Sequence, residues 1–289
     1  MNIFAAEIVP MKKIFLSMLL LAAAPVMAQM KGSIEYNLWR AQQGDTLTVF
    51  AEKAYIRQSA SPKATIQDSL ITGQTIIAAK LIETELTMKG ISAPWYQVKY
   101  KVDGKQKEGF VWLGLMAFGS YQKDSVQFLY GIDKVTPSDI KEADPKYVIL
   151  VKALNAKHTL LDKKSVTVDG GSFAISSDAK LLGGMGLDKI NTIVRLYFSG
   201  ESCGIPDNYI YFGWNGSKLL ELPGKSSMFD AGAIAHTETL LFPKEPGGQT
   251  GKIIRLTVDE EFAEDGEKVA KSKSTREVYI WNGEKATKQ

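Results

Sequence analysis

Apolar and polar residues alternate with period two along much of the chain, as in Thr46-Leu47-Thr48-Val49-Phe50, Trp95-Tyr96-Gln97-Val98-Lys99-Tyr100, Val194-Arg195-Leu196-Tyr197-Phe198 and Val278-Tyr279-Ile280-Trp281. That period, carried by aromatic and β-branched residues, predicts half-buried strands. Between the strands stand Asp103-Gly104, Gly170-Gly171, Asn215-Gly216 and Asn282-Gly283, dipeptides that tolerate the positive φ of tight hairpin turns. Helical character is confined to a short turn over Pro137-Ser138-Asp139-Ile140-Lys141-Glu142-Ala143, with Ser138 as its cap. Frequent turns with few helices between them predict an all-β chain of antiparallel sheets. Asp124, Asp133, Pro137, Asp144 and Pro145 interrupt the strand pattern. The organisation expected is therefore a small N-terminal barrel over 45–121, a linker over 122–146 and a larger antiparallel β-domain over 147–289, a sandwich or compact sheet assembly.

The N-terminal residues predict export. Met11-Lys12-Lys13 leads into Ile14-Phe15-Leu16-Ser17-Met18-Leu19-Leu20-Leu21 and then Pro25-Val26-Met27-Ala28. A basic start, an apolar run too short to span a bilayer and small residues at the cleavage positions make 1–28 a signal peptide cut after Ala28. Met11 reads as the start, because the ten residues before it carry Glu7 and no basic residue. Residues 29–44 form an N-terminal extension of the mature chain. No cysteine follows the cleavage site, so a lipoprotein is not expected, and the single Cys203 cannot close an intramolecular disulfide. A second membrane-spanning run is absent from the sequence, so no integral membrane segment is expected after cleavage, and a periplasmic or secreted protein is. The formal charge is only +3, from 35 basic and 32 acidic residues, which offers no basic excess for a nucleic-acid partner.

The segment Val49-Phe50-Ala51-Glu52-Lys53-Ala54-Tyr55-Ile56-Arg57-Gln58-Ser59-Ala60-Ser61 resembles the opening of bacterial SH3-like domains. The spacing continues through Ile66, Ser69-Leu70, Gly73 and Thr75-Ile76-Ile77 to Trp95-Tyr96-Gln97-Val98 and Gly109-Phe110-Val111-Trp112, similar to the family's Trp-x-x-Val followed by Gly-Trp-Val. The chain departs from the pattern at Tyr55-Ile56, at Ser59-Ala60 in place of Gly-Pro, and over Leu81 to Ile91, which reads as an enlarged loop. The resemblance implies an SH3-like barrel over 45–121. It further implies a partner of cell-wall type: a peptidoglycan fragment, a peptide or an envelope protein. Tyr55, Arg57, Tyr96, Phe110 and Trp112 are its candidate ligand face, since flat rings stack on sugars and peptides.

In the C-terminal part, Tyr211-Phe212-Gly213-Trp214-Asn215-Gly216-Ser217-Lys218 is echoed by Val278-Tyr279-Ile280-Trp281-Asn282-Gly283-Glu284-Lys285. Two hairpins of one type are expected, at a spacing too wide for propeller blades. Cell-wall cysteine peptidases, which often carry SH3-like modules, place a nucleophilic cysteine before a histidine base, and Cys203 precedes His236 in that order. Here Gly204 and Pro206 follow the cysteine at once, unlike the helix that the peptidases open there. His158 and His236, the only histidines, do not stand at zinc-site spacing with Cys203, and Asp259 to Glu267 lacks the order of a calcium loop. No metal or cofactor is expected. The acidic cluster with Lys268, Lys271 and Lys273 behind it predicts a solvated hairpin end. The polar stretch from Ser226 through His236 and Glu238 is a further candidate binding surface. The function expected is that of a non-enzymatic binding protein of the cell envelope, the alternative being a cysteine peptidase built on Cys203 and His236.

Overall fold

The computed structural model describes residues 39–137, 144–170, 176–199 and 203–289. The expected signal peptide and all but Pro137 of the expected helical turn lie outside the described residues. Among these residues the chain is all-β, eighteen strands with a 3-10 turn at Leu113–Leu115. No helix among them is long and apolar enough to cross a membrane.

The first sheet has six antiparallel strands in the order β1 (Thr46–Thr48), β4 (Thr75–Met88), β5 (Ile91–Val102), β6 (Lys105–Trp112), β2 (Lys53–Arg57) and β3 (Ile66–Ile71). It curls, and Val49 beyond β1 bridges Met116 beyond β6. The second sheet runs β10 (Leu160–Asp169), β9 (Lys146–Asn155), β8 (Val126–Thr136) and β7 (Gly119–Lys123). The third is a meander of eight strands in chain order: β11 (Ser176–Gly183), β12 (Thr192–Ser199), β13 (Asp207–Trp214), β14 (Leu219–Asp230), β15 (Ile234–Leu241), β16 (Lys252–Phe262), β17 (Val269–Trp281) and β18 (Ala286–Lys288).

Local chemistry accounts for many of the turns. Asp103 and Gly104 both take positive φ, 52° and 75°, the pair that a two-residue hairpin between β5 and β6 requires. The two Asn-Gly turns are built alike, in a longer form. Asn215 Oδ1 accepts from the backbone N–H of Ser217 and Lys218, and Asn282 Oδ1 from those of Glu284 and Lys285. Only the glycine of each is left-handed, so the asparagine acts as a side-chain acceptor and not through its own φ. The acidic cluster does sit on a hairpin end, where Lys271 pairs with Glu261 at 2.7 Å across β16 and β17.

Three expectations are corrected. The supposed loop over Leu81 to Ile91 is the long arm of β4 and its turn, paired to β5 through Leu81↔Tyr96 and Leu86↔Ala93 and reversed at Lys89 and Gly90. Two bulges and a largely exposed run of residues obscure its period. The segment 122–146 is no linker, since it contains all of β8, in which Phe128, Leu129, Tyr130 and Ile132 are buried. A domain boundary at residue 147 would separate β8 from β9, its hydrogen-bonded neighbour over ten register pairs from Val126↔Asn155 to Thr136↔Lys146.

The second sheet is a middle layer. Register pairs Phe128↔Ala153 and Tyr130↔Val151 occupy one of its faces, and Leu129↔Lys152 and Gly131↔Leu150 the other. Phe128 meets the edge of Trp214 from the third sheet, with ring centroids 5.8 Å apart. On the opposite face Leu129 and Leu154 pack with Phe50, and the Phe50 ring lies 3.0 Å from where a side chain on Gly131 would begin. Between layers, Asp162 accepts the Leu219 N–H at 2.8 Å. One contiguous apolar cluster runs from Trp39 through Trp95, Trp112, Phe128 and Phe198 to Leu219.

Replacing Phe128 by alanine should therefore cost about 3–5 kcal/mol, the range for emptying a buried aromatic site. Because the core is shared, urea denaturation followed by tryptophan fluorescence and by far-UV circular dichroism should give coincident single transitions. Separate transitions for the N- and C-terminal halves would contradict the shared core.

Candidate functional site

A cleft of about 830 Å³ lies where the first sheet meets the second. Its apolar floor is Leu70 and Ile76, both buried. Its exposed walls carry Lys99 and Lys101 from β5, Gln106 from β6 and Gln122 from β7. Gln127 of β8 and the β9–β10 turn complete it. That turn is held by Asn155, whose side-chain oxygen accepts from Lys157 N–H at 2.9 Å and Thr159 N–H at 3.0 Å. It leaves His158 at φ 59°, with Nδ1 buried and without a hydrogen-bond partner. Gly73 faces that ring at φ +88°, and a methyl group there would run into His158 Nδ1, Gln127 Oε1 and Leu154 Cδ1. Beside the cleft Tyr100 donates to Asp68 at 2.7 Å, and Lys107 pairs with the same carboxylate at 3.1 Å. Burial, then the bond to Asp68, pushes the Tyr100 hydroxyl well above its usual range, while Tyr100 first and Lys107 next hold Asp68 low. The cleft thus presents amides and ammonium groups over an apolar base, with a neutral phenol beside a fixed carboxylate.

The five residues of the expected ligand face separate. Trp112 is 3% exposed, and its indole N–H lies 3.0 Å from the Leu86 carbonyl and 2.9 Å from that of Ala93, which clamps β4 to β5. Tyr96 is 4% exposed and donates to the Ala41 carbonyl at 2.8 Å. Both are core residues on opposite faces of the β5–β6 pair, since Trp112 stands opposite Trp95 and Tyr96 opposite Val111, and this part of the pair is buried on both sides. Tyr55, Arg57 and Phe110 stay together near the surface, with Arg57 opposite Phe110 in register and its guanidinium 5.9 Å from the Tyr55 ring. Arg57 also donates to the Ala64 carbonyl at 2.6 Å.

Cys203 is exposed in the turn before β13, and no hydrogen bond joins it to His236. His236 has other partners. Its Nδ1 lies 2.6 Å from Asp259 Oδ1, its register neighbour across β15 and β16, and its Nε2 lies 3.4 Å from Ser226 Oγ. Ser226, His236 and Asp259 therefore stand in the order nucleophile, base and orienting carboxylate. The surroundings oppose acyl transfer. Glu238 accepts the Ser226 backbone N–H at 2.7 Å and lies 3.4 Å from its hydroxyl, so a carboxylate stands beside the hydroxyl and takes up the backbone donor nearest to it.

From there a charged network crosses the sheet. Arg255 stands 3.4 Å from Glu238 and pairs with Glu277, which also accepts from Tyr279 and Lys288. The Lys288 ammonium first, then the Tyr279 hydroxyl and Arg255, bring the Glu277 carboxyl down to about 2. This network pairs the charges that His236 and Glu238 bring to the polar stretch. Among the described residues no group of three or more His, Cys, Asp or Glu side chains is placed to hold a metal ion.

A carboxylate depressed in the folded state stabilises it fully above the unfolded value, and that stabilisation is lost as pH falls through the folded value. Glu277→Gln should accordingly lower stability at neutral pH by about 1 kcal/mol, the range of charge-assisted hydrogen bonds discounted for the solvent that reaches this carboxylate. Urea titrations should find the gap to the unmodified chain closing between pH 4.5 and about 2. A gap that does not change with pH would assign the loss to packing. Against known proteins, no protein-family model, no curated protein and no solved structure matches the chain.

Proposed function

We propose that this chain is a non-enzymatic, exported binding protein of the cell envelope, whose ligand is a polar fragment of cell-wall type, glycan or short peptide. The observation that carries the reading is the cleft between the first two sheets. Its volume is that of a small-molecule site, and its exposed walls supply amide and ammonium donors over the apolar floor of Leu70 and Ile76. Amides can both donate to and accept from sugar hydroxyls and peptide groups. The export expectation and the resemblance to wall-associated SH3-like modules support the choice of ligand class. The surface patch of Tyr55, Arg57 and Phe110 offers a second contact for a longer ligand. A cysteine-peptidase reading has less support, because among the described residues no hydrogen bond joins Cys203 to a base and His236 is engaged elsewhere.

Isothermal titration of the chain lacking residues 1–28 with soluble muropeptides tests the proposal. Saturable binding is expected, and the double substitution of Lys101 and Gln106 by alanine should weaken it about tenfold, or 1.4 kcal/mol, with little change in melting temperature. Both side chains are exposed, so the fold should tolerate their loss. Absence of binding, or binding indifferent to the double substitution, would overturn the cleft as the site.

A further inference from the structure

Lys152 breaks the pattern of the strand that carries it. It stands in Tyr147-Val148-Ile149-Leu150-Val151-Lys152-Ala153-Leu154 on β9, opposite Leu129, on the face of the middle sheet that packs against Phe50. Only 7% of the residue is exposed. Its ammonium donates to the Phe50 carbonyl at 2.6 Å and lies 4.2 Å from the centre of the Phe50 ring. No other hydrogen bond or ion pair reaches it among the described residues. An ammonium has three donors and the Phe50 carbonyl takes one; with no ion pair to it among the described residues, Glu52 and Asp133 act on the charge only at a distance, and a buried cation without a close counter-ion is an unfavourable arrangement.

Lys152 lines a cavity of about 440 Å³ whose walls include Met88, Leu115, Ile132 and Leu150. A second cavity of about 240 Å³ shares Lys152, Glu52 and Lys163 with it. Besides Lys152, the charged groups around these spaces are Glu52, Lys53, Lys89, Asp133 and Lys163, and the titratable ring of His158 lines the smaller one. Asp133 is already paired with Lys89 at 3.1 Å. That leaves Lys53, Lys152 and Lys163 against the single carboxylate of Glu52, a local excess of positive charge beside an apolar wall.

We propose that the cleft over Lys152 is a binding site for a small organic carboxylate with an apolar body. The carboxylate accepts from the Lys152 ammonium, with Lys163 at the rim, and the apolar body lies along Met88, Leu115 and Ile132. The larger cavity shares no lining residue with the cleft assigned to the wall fragment, so this proposal stands or falls independently of it. Burial lowers the Lys152 ammonium to about 8, with Glu52 and Asp133 raising it and Lys163 and Lys89 lowering it further. A bound carboxylate favours the charged amine, so its affinity should fall as pH rises past that value.

Octanoate is a suitable probe. Titrated into the chain lacking residues 1–28 at pH 7, it should bind saturably, while octanol and inorganic sulfate should bind at least about tenfold more weakly. Lys152→Met should remove octanoate binding, and raising the pH to 9.5 should weaken it severalfold in the unmodified chain. Should Lys152→Met fail to fold, Lys163→Met at the rim should still weaken binding. In the unmodified chain, the pH midpoint of the Lys152 Cε resonance should move upward when octanoate is added. No octanoate binding, equal binding of octanol or sulfate, unchanged binding in Lys152→Met, or an unmoved midpoint would each overturn the proposal.

Discussion

Burial of both faces of β8 and β9 is the constraint on which the rest of the molecule depends. A strand pair covered on one side only can be completed by solvent, but here Phe128 requires Trp214 on one side while Leu129 and Gly131 require Phe50 on the other. The first and third sheets are therefore coverings for the second as much as units in their own right. Their placement follows from the side chains that the middle strands present. The cleft at the edge of this stack and the cavities over Lys152 exist because the layers meet along curved, twisted surfaces that do not close completely.

This constraint also explains what could be read directly from the residues. Half-buried strands announce themselves by alternation, and β2, with Ala54 and Ile56 buried between outward-facing neighbours, is legible for that reason. Strands buried on both faces do not alternate. Phe128-Leu129-Tyr130-Gly131-Ile132 is a continuous apolar run, and flanking aspartates and prolines disguised it as part of a linker. Turn chemistry was legible at Asp103-Gly104 and at both Asn-Gly hairpins, since it depends on a few adjacent residues.

The sites were much less legible, because they are assembled by register. Gln106, Gln122 and Gln127 belong to three strands and form no motif. His236 and Asp259 become neighbours only when β15 pairs with β16. Aromatic residues drew the expected ligand face, yet ring size favours the core as strongly as it favours stacking on a ligand, and Tyr96 and Trp112 went to the core. The one local signal available was Lys152, a cation inside an apolar run.

The contact between Phe128 and Trp214 has a bearing on the order in which the molecule can be made. Synthesis proceeds from the N-terminus, so the middle sheet leaves the ribosome before β13 supplies its cover. Until Trp214 arrives, the nascent chain holds one large apolar face bare, which is the kind of surface that associates with other chains. Binding by a holding chaperone would protect the face until β13 and β14 are available to cover it.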